Sequence, residues 1–285
     1  MERGRCDQGR RRHEDREIDN RRRESYDAIS EVAIAAARGA GDWILEHFGT
    51  KMPSTVKDAD SVVTSLDVEA ERRISATIRA HYPDHTLVGE ELSPHQVLGA
   101  YSWAIDPIDG TRNFAAGVPL WAVSVAALEH GVPVAAAIYI PVTGELYHAA
   151  RGCGAWLAGE RLQVSSTSSL STAVAMTDLH GGFSDVLPPE TLMRLLRTAR
   201  RTRMLGSVCC ALCYVATGRF DIYYAPHVNL WDIAAGVLLV QEADGEVRAV
   251  TGQEWTPGAN SIVAAAPPLV RALLDHLHQP LPDGS

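Results

Sequence analysis

The sequence predicts an α/β protein with helices and a large antiparallel sheet in its first half and alternating strands and helices in its second. Three observations support this fold class. Apolar residues between Tyr26 and Phe48 recur at the spacing of one helix face. Residues 121–165 contain short apolar runs separated by glycine turns, which is typical of an antiparallel meander. After residue 171, apolar runs of strand length and of helix length follow one another.

The first 24 residues are polar and carry charges of both signs. They contain nine Arg and seven acidic residues and show no apolar period. Such a segment buries too little apolar surface to offset the entropy of ordering, so we predict a disordered tail over 1–24. We divide the rest into an N-terminal half, 25–165, and a C-terminal half, 166–285. The boundary falls near a stretch rich in Ser and Thr.

The individual elements follow from periodicity and from turn residues. In the first half we predict helices over 26–48 and from Asp67 to just before Pro83, and strands at 61–64, 86–88 and 101–105. The meander then turns at His130-Gly131, Thr143-Gly144 and Ala158-Gly159. In the second half we predict strands at 173–177, 202–205, 220–224, 246–250 and 261–265, and helices at 189–198, 207–217, 231–245 and 268–278.

The stretch WAIDPIDGTRNFAAG, residues 103–117, organises the chain. A short apolar strand delivers Asp106, and Pro107 keeps that residue out of the helical region, so the chain must turn. Gly110 permits a backbone conformation that a Cβ would forbid, and a helix can begin directly after it. Asp106 and Asp109 can therefore face one hard divalent cation. The first amides of the helix would bind phosphate.

Three further acidic residues lie where elements meet. Asp67 begins a helix, Glu90 follows a strand, and Asp232 lies in the first turn of an apolar helix. Each alone is also explained as a cap or a solvated loop, and Asp-Pro and Asp-Gly are common turn pairs. Together with Asp106 and Asp109 they indicate a shared site. The predicted constellation comprises Lys57, Asp67, Glu90, Asp106, Asp109, Thr111 and Asp232.

This pattern resembles the inositol monophosphatase family. WAIDPIDGTRNF at 103–114 is similar to the first signature of the family, and WDIAAG at 231–236 is similar to the second. The triplet Gly89-Glu90-Glu91 and the segment 63–67 also match in order and rough spacing. The likeness extends from around residue 26 to around residue 278 and leaves out the tail.

The resemblance implies a layered α-β-α-β-α sandwich of the inositol monophosphatase / fructose bisphosphatase type. It further implies dependence on Mg²⁺, with two to three ions per active site, inhibition by lithium, and a homodimer. By position, Glu90, Asp106 and the carbonyl of Ile108 would hold one ion. Asp106, Asp109 and Asp232 would hold the second ion, and Asp67 with Glu90 would place a third through water.

The resemblance also assigns catalytic and substrate-binding roles. Thr111, with Asp67 behind it, would orient the attacking water, and Glu90 completes the catalytic group. The expected substrate- and phosphate-binding residues are Lys57, Asp109, Gly110, Thr111, Ser207, Ala225 and His227. Members that favour inositol commonly carry Glu where this chain has Ala225, which puts selectivity for inositol in doubt. His227 or Asn229 would be the replacement, and the segment 180–182 would border the substrate.

The function that these residues predict is hydrolysis of inositol 1-phosphate or a similar small phosphomonoester by direct attack of a metal-activated water. Histidinol phosphate, a nucleotide 3′-phosphate or a sugar bisphosphate are alternative substrates. A phosphatase of the haloacid dehalogenase type is disfavoured, because its acids stand two apart rather than three. A third class is a nucleic-acid-binding regulator that uses the Arg-rich tail. The net charge of −9 argues against nucleic acid as a partner.

Composition also predicts location. No stretch approaches the ~18 consecutive apolar residues of a membrane helix, so we expect no membrane partner. The N-terminal segment lacks the apolar core of a signal peptide. The five cysteines show no metal-binding spacing, and three lie in the apolar segment 207–217. We therefore expect free, buried thiols and a cytoplasmic protein.

Overall fold

A computed structural model of the chain describes residues 3–49, 54–58, 61–178 and 189–277. Over these ranges, two large sheets and seven helices stack as five layers in the order helix, sheet, helix, sheet, helix. This arrangement confirms the predicted mixed α/β class and its layered α-β-α-β-α sandwich. None of the helices in this part of the chain is long and apolar enough to cross a membrane.

The helices agree closely with the predicted pattern from α2 onward. They are α1 (Arg3–Leu45), α2 (Ser65–His81), α3 (Thr111–Ala115), α4 (Pro189–Thr198), α5 (Val208–Ala216), α6 (Leu230–Glu242) and α7 (Pro267–Leu277).

The strands fall into two large sheets and one hairpin. The first seven are β1 (Ser54–Asp58), β2 (Ser61–Thr64), β3 (Thr86–Gly89), β4 (Tyr101–Asp109), β5 (Ala122–Glu129), β6 (Val132–Ile140) and β7 (Glu145–Ala150). The rest are β8 (Gly154–Leu157), β9 (Glu160–Arg161), β10 (Val174–Thr177), β11 (Arg201–Arg203), β12 (Ile222–Ala225), β13 (Glu246–Arg248) and β14 (Ile262–Ala265). Strand β1 pairs with β2 alone and was not predicted.

The seven-stranded sheet contains the predicted meander. Its order is β3-β4-β5-β6-β7-β8-β9, with β3 parallel to β4 and the other neighbours antiparallel. Helices α1 and α2 pack on one face, where small residues of α1 such as Ala33 and Ala37 lie in a buried cluster with Val123 and Val125 of β5. The sheet thus has one face packed against α1 and α2, and its other face is turned toward α5 and α6.

The five-stranded sheet has the order β11-β10-β12-β14-β13. Strand β10 runs parallel to both its neighbours, whereas β14 is antiparallel to β12 and β13. Helices α5 and α6 lie between the two sheets, and α4 with α7 cover the outer face. Residues 233–240 of α6 are all buried, because a helix between two sheets has no solvent face.

Strand β4 extends four residues beyond its predicted end. Asp106 lies opposite Ser124 of β5 and Asp109 opposite Ala122, so three steps along β4 match two along β5. One extra residue in one strand is a β-bulge, and Pro107 is tolerated there because its missing N–H falls at the interruption of the ladder. The predicted turn at Pro107 is therefore a bulge within a continuing strand.

The first helix differs most from the sequence-based expectation. It begins at Arg3 rather than near Tyr26, so the segment that we expected to be disordered is helical from residue 3 onward. Arg and Glu have high helix propensity and no proline interrupts residues 3–24, so a helix can continue without an apolar face. The prediction of disorder over residues 1–24 considered only how much apolar surface the segment could bury and left out its helix propensity. The division of the chain at residues 24 and 165 stays a prediction.

Candidate metal centre

The bulge in β4 brings two acidic side chains onto the same face of the sheet. Along a regular strand, residues alternate between faces, so Asp106 and Asp109 would point to opposite sides. Ile105 and Ile108 both pack in the cluster beneath α1 and α2, whereas Ala104 packs toward α5 and α6. The extra residue thus turns Asp109 to the side of Ala104 and Asp106. A bulge within the segment 106–109 therefore brings the two carboxylates together, and β-bulges commonly change the direction of side chains next to functional sites.

Asp106 is the centre of a group of five carboxylates. Its side chain is only 2% exposed. Burial, followed by the negative charges of its neighbours, raises the pKa of Asp106 well above its ordinary value; those neighbours are Glu90, Asp109, Asp232 and Asp67. The other four acids that the sequence singled out therefore all lie within electrostatic reach of Asp106.

One atom of this group stands out. Within the described ranges, Oδ1 of Asp106 is buried and accepts no hydrogen bond. A buried carboxylate oxygen without a donor is costly, and the surrounding charges increase the cost. A hard divalent cation would remove both penalties, since it prefers carboxylate oxygens as ligands. The residues present therefore fit a Mg²⁺ ion.

Asp109 is held by the start of helix α5. Its Oδ1 accepts the amide of Val208 at 3.1 Å, and its Oδ2 accepts the amide of Cys209 at 3.0 Å. The hydroxyl of Ser207 also donates to Oδ2. Burial raises the pKa of Asp109 to about 7 against the lowering effect of the Ser207 hydrogen bond. A carboxylate offers about four lone-pair positions, so one position is left for a cation.

Gly110 is required by the backbone at this point. Its φ is 89°, in the left-handed region, and a Cβ there would lie 2.9 Å from the carbonyl oxygen of Leu120. The neighbouring Asn113 connects the same loop to the C-terminal half: its Nδ2 donates to Leu120 O at 2.7 Å and to Leu205 O at 2.8 Å. The loop after β4 is therefore fixed against the segment that leads into α5.

Thr111 begins α3, as predicted. Its hydroxyl donates to the carbonyl oxygen of Ile108 at 2.8 Å. That contact uses the single hydroxyl hydrogen and leaves the lone pairs of the oxygen to accept a hydrogen bond from another group. The helix has only five residues, so its dipole adds less to a phosphate site than the sequence suggested.

Asp232 combines the two roles that the sequence left open. Its Oδ2 accepts the backbone N–H of Asn229 at 2.8 Å and the side-chain Nδ2 of Asn229 at 3.2 Å. This is half of a capping box at the start of α6. Its charge also raises the pKa of Asp106 and of Asp109. A single side chain thus caps α6 and contributes charge to the acidic group.

Two buried acids at the site were not predicted. Glu71, on α2, accepts the amide of Glu91 at 2.7 Å. Asp178, directly after β10, accepts the amide of Gly206 at 3.0 Å and the hydroxyl of Tyr223 at 3.4 Å. Asp178 follows a strand just as Glu90 does, so that signal was available; Glu71 lay hidden in a charged helical stretch.

Cys209 also borders the centre. One ligand atom each of Asp106, Asp109 and Cys209 lies within 4.8 Å of the other two. Burial raises the pKa of the Cys209 thiol well above its usual value, and the thiol donates to the carbonyl oxygen of Asp232 at 3.2 Å. It is therefore a neutral thiol beside an oxygen-rich site. Cys209, Cys210 and Cys213 are free and buried, as predicted.

The predicted substrate residues do not form one wall. Ser207 is fully buried and caps α5, with Cys210 N donating to its Oγ at 3.2 Å. Ala225 was expected to contact substrate just after a strand ending at residue 224, but it ends β12 itself, pairs with Ile262, and its side chain is completely buried in the core. His227 is exposed. The backbone of Lys57 lies in β1, and residues 180–182 fall outside the described ranges.

The fold and the site together define a class of protein: a five-layered α-β-α-β-α sandwich whose interior carboxylates suit hard divalent cations. Comparison with known proteins agrees. The model of the inositol monophosphatase family matches residues 25–281. The chain belongs to the inositol monophosphatase family.

Relatives and solved structures cover nearly the whole chain. Nus factor SuhB of Pasteurella multocida is 36% identical over 257 residues, which are 88% of this chain and 96% of that protein. Nus factor SuhB of Pseudomonas aeruginosa is 37% identical over 260 residues, with 88% and 96% covered. An IMPase from Thermotoga maritima has a TM-score of 0.78 at 31% identity, with 87% of this chain and 95% of that one covered. The extragenic suppressor protein suhB from Bartonella henselae has a TM-score of 0.80 at 29% identity, with 89% and 100% covered.

One expectation about partners is wrong. Relatives of this chain carry the name Nus factor SuhB, which conflicts with the expectation from net charge that nucleic acid is an unlikely partner. Net charge is a sum over the whole chain and does not register where basic residues are concentrated. Residues 1–24 carry nine Arg and seven acidic residues, a net charge of +2 in a chain whose total is −9.

Proposed function

We propose that this protein is a Mg²⁺-dependent phosphomonoesterase that hydrolyses a small phosphomonoester, with inositol 1-phosphate as the first candidate. Membership of the inositol monophosphatase family supports phosphatase activity. The observation that carries the proposal is the buried, unpartnered Oδ1 of Asp106 within a group of four further acids. Such a group is unstable without a cation, and a bound cation is what phosphoryl chemistry requires.

The ligand assignment follows the family pattern. Glu90, Asp106 and the Ile108 carbonyl would hold one Mg²⁺, and Asp106, Asp109 and Asp232 the second, with Asp67 near a third. Bound Mg²⁺ supplies charge neutralisation for the phosphate and a lowered pKa for water. The oxygen-only donor set and the neutral state of Cys209 favour Mg²⁺ over softer cations.

Thr111 and Asp67 would align the attacking water. The Thr111 hydroxyl donates to Ile108 O, so it is oriented to accept a hydrogen bond from water. Asp67 is nearly fully buried in the first turn of α2 and adds its charge to the group around Asp106. These residues position the nucleophile, and no side chain of this set needs to form a covalent bond to phosphorus.

Selectivity among monoesters rests on other residues. Because Ala225 is buried, it offers no contact to an inositol hydroxyl, and the exposed His227 is the better candidate for such a contact. Histidinol phosphate, nucleotide 3′-phosphates and sugar bisphosphates therefore remain alternative substrates. Lithium inhibition and a homodimer are further expectations from the family.

A direct test is phosphate release from a panel of monoesters. We expect activity with Mg²⁺, loss with chelator, and inhibition by lithium, while circular dichroism stays unchanged. Asp106→Asn is the negative control, since it removes the central carboxylate at nearly constant volume. Release that is insensitive to Mg²⁺ and to Asp106→Asn would overturn the proposal.

A second function is favoured by the names of the relatives. Proteins 34–37% identical to this chain are called Nus factor SuhB, so we propose that the chain also acts as a Nus factor. The Arg-rich residues 1–24 precede the family match and supply the type of charge that contacts phosphate backbones. Gel shift with RNA, comparing the full chain with a variant lacking 1–24, would test this contribution. Absence of binding by the full chain would count against the role.

A further inference from the structure

We infer that Glu71 is a positioning residue for the metal centre, because it fixes the turn that carries Glu90. The inference rests on the proposed function, in which Glu90 is a metal ligand. Glu71 lies on α2, four residues after Asp67, and its side chain is only 1% exposed. A buried carboxylate on a charged, partly exposed helix requires donors of its own.

Those donors are backbone amides of the turn after β3. Oε2 of Glu71 accepts the N–H of Glu91 at 2.7 Å. The N–H of Leu92 lies 3.2 Å from Oε1 and 3.3 Å from Oε2. Hydrogen bonds to an ionised acceptor are stronger than neutral ones. The carboxylate therefore clamps the two residues that directly follow Glu90.

The residue before Glu90 is fitted to the same carboxylate. A Cβ on Gly89 would lie 2.0 Å from Oε1 of Glu71, so only glycine allows the helix and the strand end to come this close. The Gly89 N–H donates to Ser93 Oγ at 3.1 Å, and the Glu90 N–H donates to Ile105 O at 3.2 Å. Glu90 thus lies between fixed neighbours on both sides.

One face of α2 consequently contributes to the metal centre through two residues. Residues four apart on a helix point the same way, so Asp67 and Glu71 lie on one side of α2. Asp67 contributes charge to the group around Asp106, and Glu71 holds the turn that contributes Glu90. A shift of α2 would therefore move one acid directly and another through its turn.

Removing the clamp should weaken the metal site rather than abolish it. Glu71→Ala leaves Glu90 in place but frees its turn, so we expect metal affinity to fall by roughly 10- to 100-fold, the usual effect of losing a residue that orients a ligand. Glu71→Gln keeps one acceptor oxygen for two amides and should lie between wild type and Glu71→Ala. The turnover number at saturating Mg²⁺ should change less than the Mg²⁺ concentration needed for half-maximal activity.

The test measures metal binding without turnover. Mn²⁺ is titrated into the full chain and free Mn²⁺ is followed by electron paramagnetic resonance, with Asp106→Asn as the site knock-out. Glu69→Ala is the matched control, because Glu69 is two residues away, partly exposed, and pairs with Arg73 at 3.1 Å. Ile78→Val is a second control that lowers the stability of the same helix without touching the turn.

The outcomes separate the inference from the proposed function. The positioning role is supported if Glu71→Ala binds Mn²⁺ more weakly than the wild type and Glu71→Gln recovers part of that affinity. Both control variants should bind Mn²⁺ as tightly as the wild type. Normal Mn²⁺ affinity in folded Glu71→Gln and Glu71→Ala overturns it and leaves the metal centre standing. A wild-type chain that binds no Mn²⁺ overturns the proposed function and, with it, the inference.

Discussion

The hydroxyl of Ser207 donates a hydrogen bond to Oδ2 of Asp109, which lies 98 residues earlier in the chain. The amides of Val208 and Cys209 donate to the same carboxylate, so Asp109 sits at the amino end of α5, where a negative charge is favourable. One side chain thus connects the large sheet to the helical layer between the sheets. The position of an acid in the metal centre depends on this long-range contact.

Ser207→Ala should weaken both the fold and the site. The variant loses a helix cap and a hydrogen bond to a buried carboxylate, so we expect the free energy of unfolding to fall by ~1–2 kcal/mol. Phosphate release should fall as well, because Asp109 loses a donor that fixes it. Ser207→Thr keeps the hydroxyl and is the control. Unchanged stability and turnover in Ser207→Ala would show that the two amides hold Asp109 alone.

Asp106→Asn should stabilise the protein in chelator and abolish its response to Mg²⁺. The pKa of Asp106 is raised by burial and by four acidic neighbours, so keeping it charged at pH 8 destabilises the folded state. Asparagine removes that charge, and its side-chain NH2 group can donate hydrogen bonds to the neighbouring carboxylates. Thermal unfolding in EDTA and in Mg²⁺ measures both effects. A lower midpoint in EDTA than the wild type has would contradict this account.

Asp109→Asn should be less stable than Asp106→Asn, although both should lose phosphate release. The Asp109 carboxylate accepts three hydrogen bonds, and asparagine offers one acceptor oxygen. We expect the two variants to differ by ~1–3 kcal/mol in the free energy of unfolding, the cost of an unpaired buried donor. Equal stabilities would mean that charge burial outweighs hydrogen bonding at both positions.

Local patterns predicted most of the fold and five of the acids. The apolar period locates the helices from α2 onward, and the strand-turn-helix context singles out Asp106 and Asp232. The bulge was not predictable, because it depends on how β4 pairs with β5 rather than on β4 itself. Glu71 was missed for a similar reason: its partners are amides 20 and 21 residues away, and it looks like any helix-surface acid.

Two errors arose from reading segments in isolation. The predicted strand ended at Tyr224 and left Ala225 in the loop after it, yet pairing with β14 extends β12 to Ala225 and buries its side chain. The start of α1 was placed at the first apolar residues, whereas the helix begins at Arg3, in a segment of charged residues with high helix propensity. Tertiary pairing decided the first case and helix propensity the second.

Thr111→Ala should reduce kcat and kcat/KM to a similar extent. The hydroxyl is oriented by Ile108 O, and a group that positions water acts mainly in the transition state. Thr111→Ser keeps the hydroxyl and should retain most of the activity. Steady-state kinetics on one monoester at saturating Mg²⁺ checks this. A raised KM with normal kcat would indicate that Thr111 only binds substrate.

Ala225→Glu should destabilise the protein rather than sharpen its selectivity. The residue is completely buried in the core cluster between the sheets, and an unpaired carboxylate there carries a large desolvation cost. Soluble yield and melting temperature should fall, while His227→Glu, at an exposed position two residues later, should be tolerated. A well-folded Ala225→Glu protein with a new preference for inositol 1-phosphate would show that the side chain reaches the pocket.

The last prediction concerns His85, which lies outside the metal centre. Its ring stacks between Tyr82 and Tyr101, with centroid distances of 4.7 and 5.0 Å, and its Nδ1 accepts the indole N–H of the buried Trp103 at 3.0 Å. Burial lowers the pKa of His85 from its ordinary value, and the charge of Asp84 acts in the opposite direction. The folded state therefore favours the neutral ring, which alone can accept from Trp103.

Stability should consequently fall as the pH drops below about 6.5, the pKa of an unfolded histidine. Between that value and the lower folded-state pKa of His85, the unfolded chain binds more protons, so the free energy of unfolding decreases with falling pH. His85→Phe keeps the stacking but cannot titrate. We expect this variant to be less stable than the wild type at pH 7.5, yet to lose less free energy of unfolding than the wild type on acidification to pH 5.5. Burial also lowers the pKa of His148, so acidification through this residue destabilises the wild type and His85→Phe alike. The difference between the two slopes, measured by thermal unfolding, therefore isolates His85, and identical slopes would exclude its contribution.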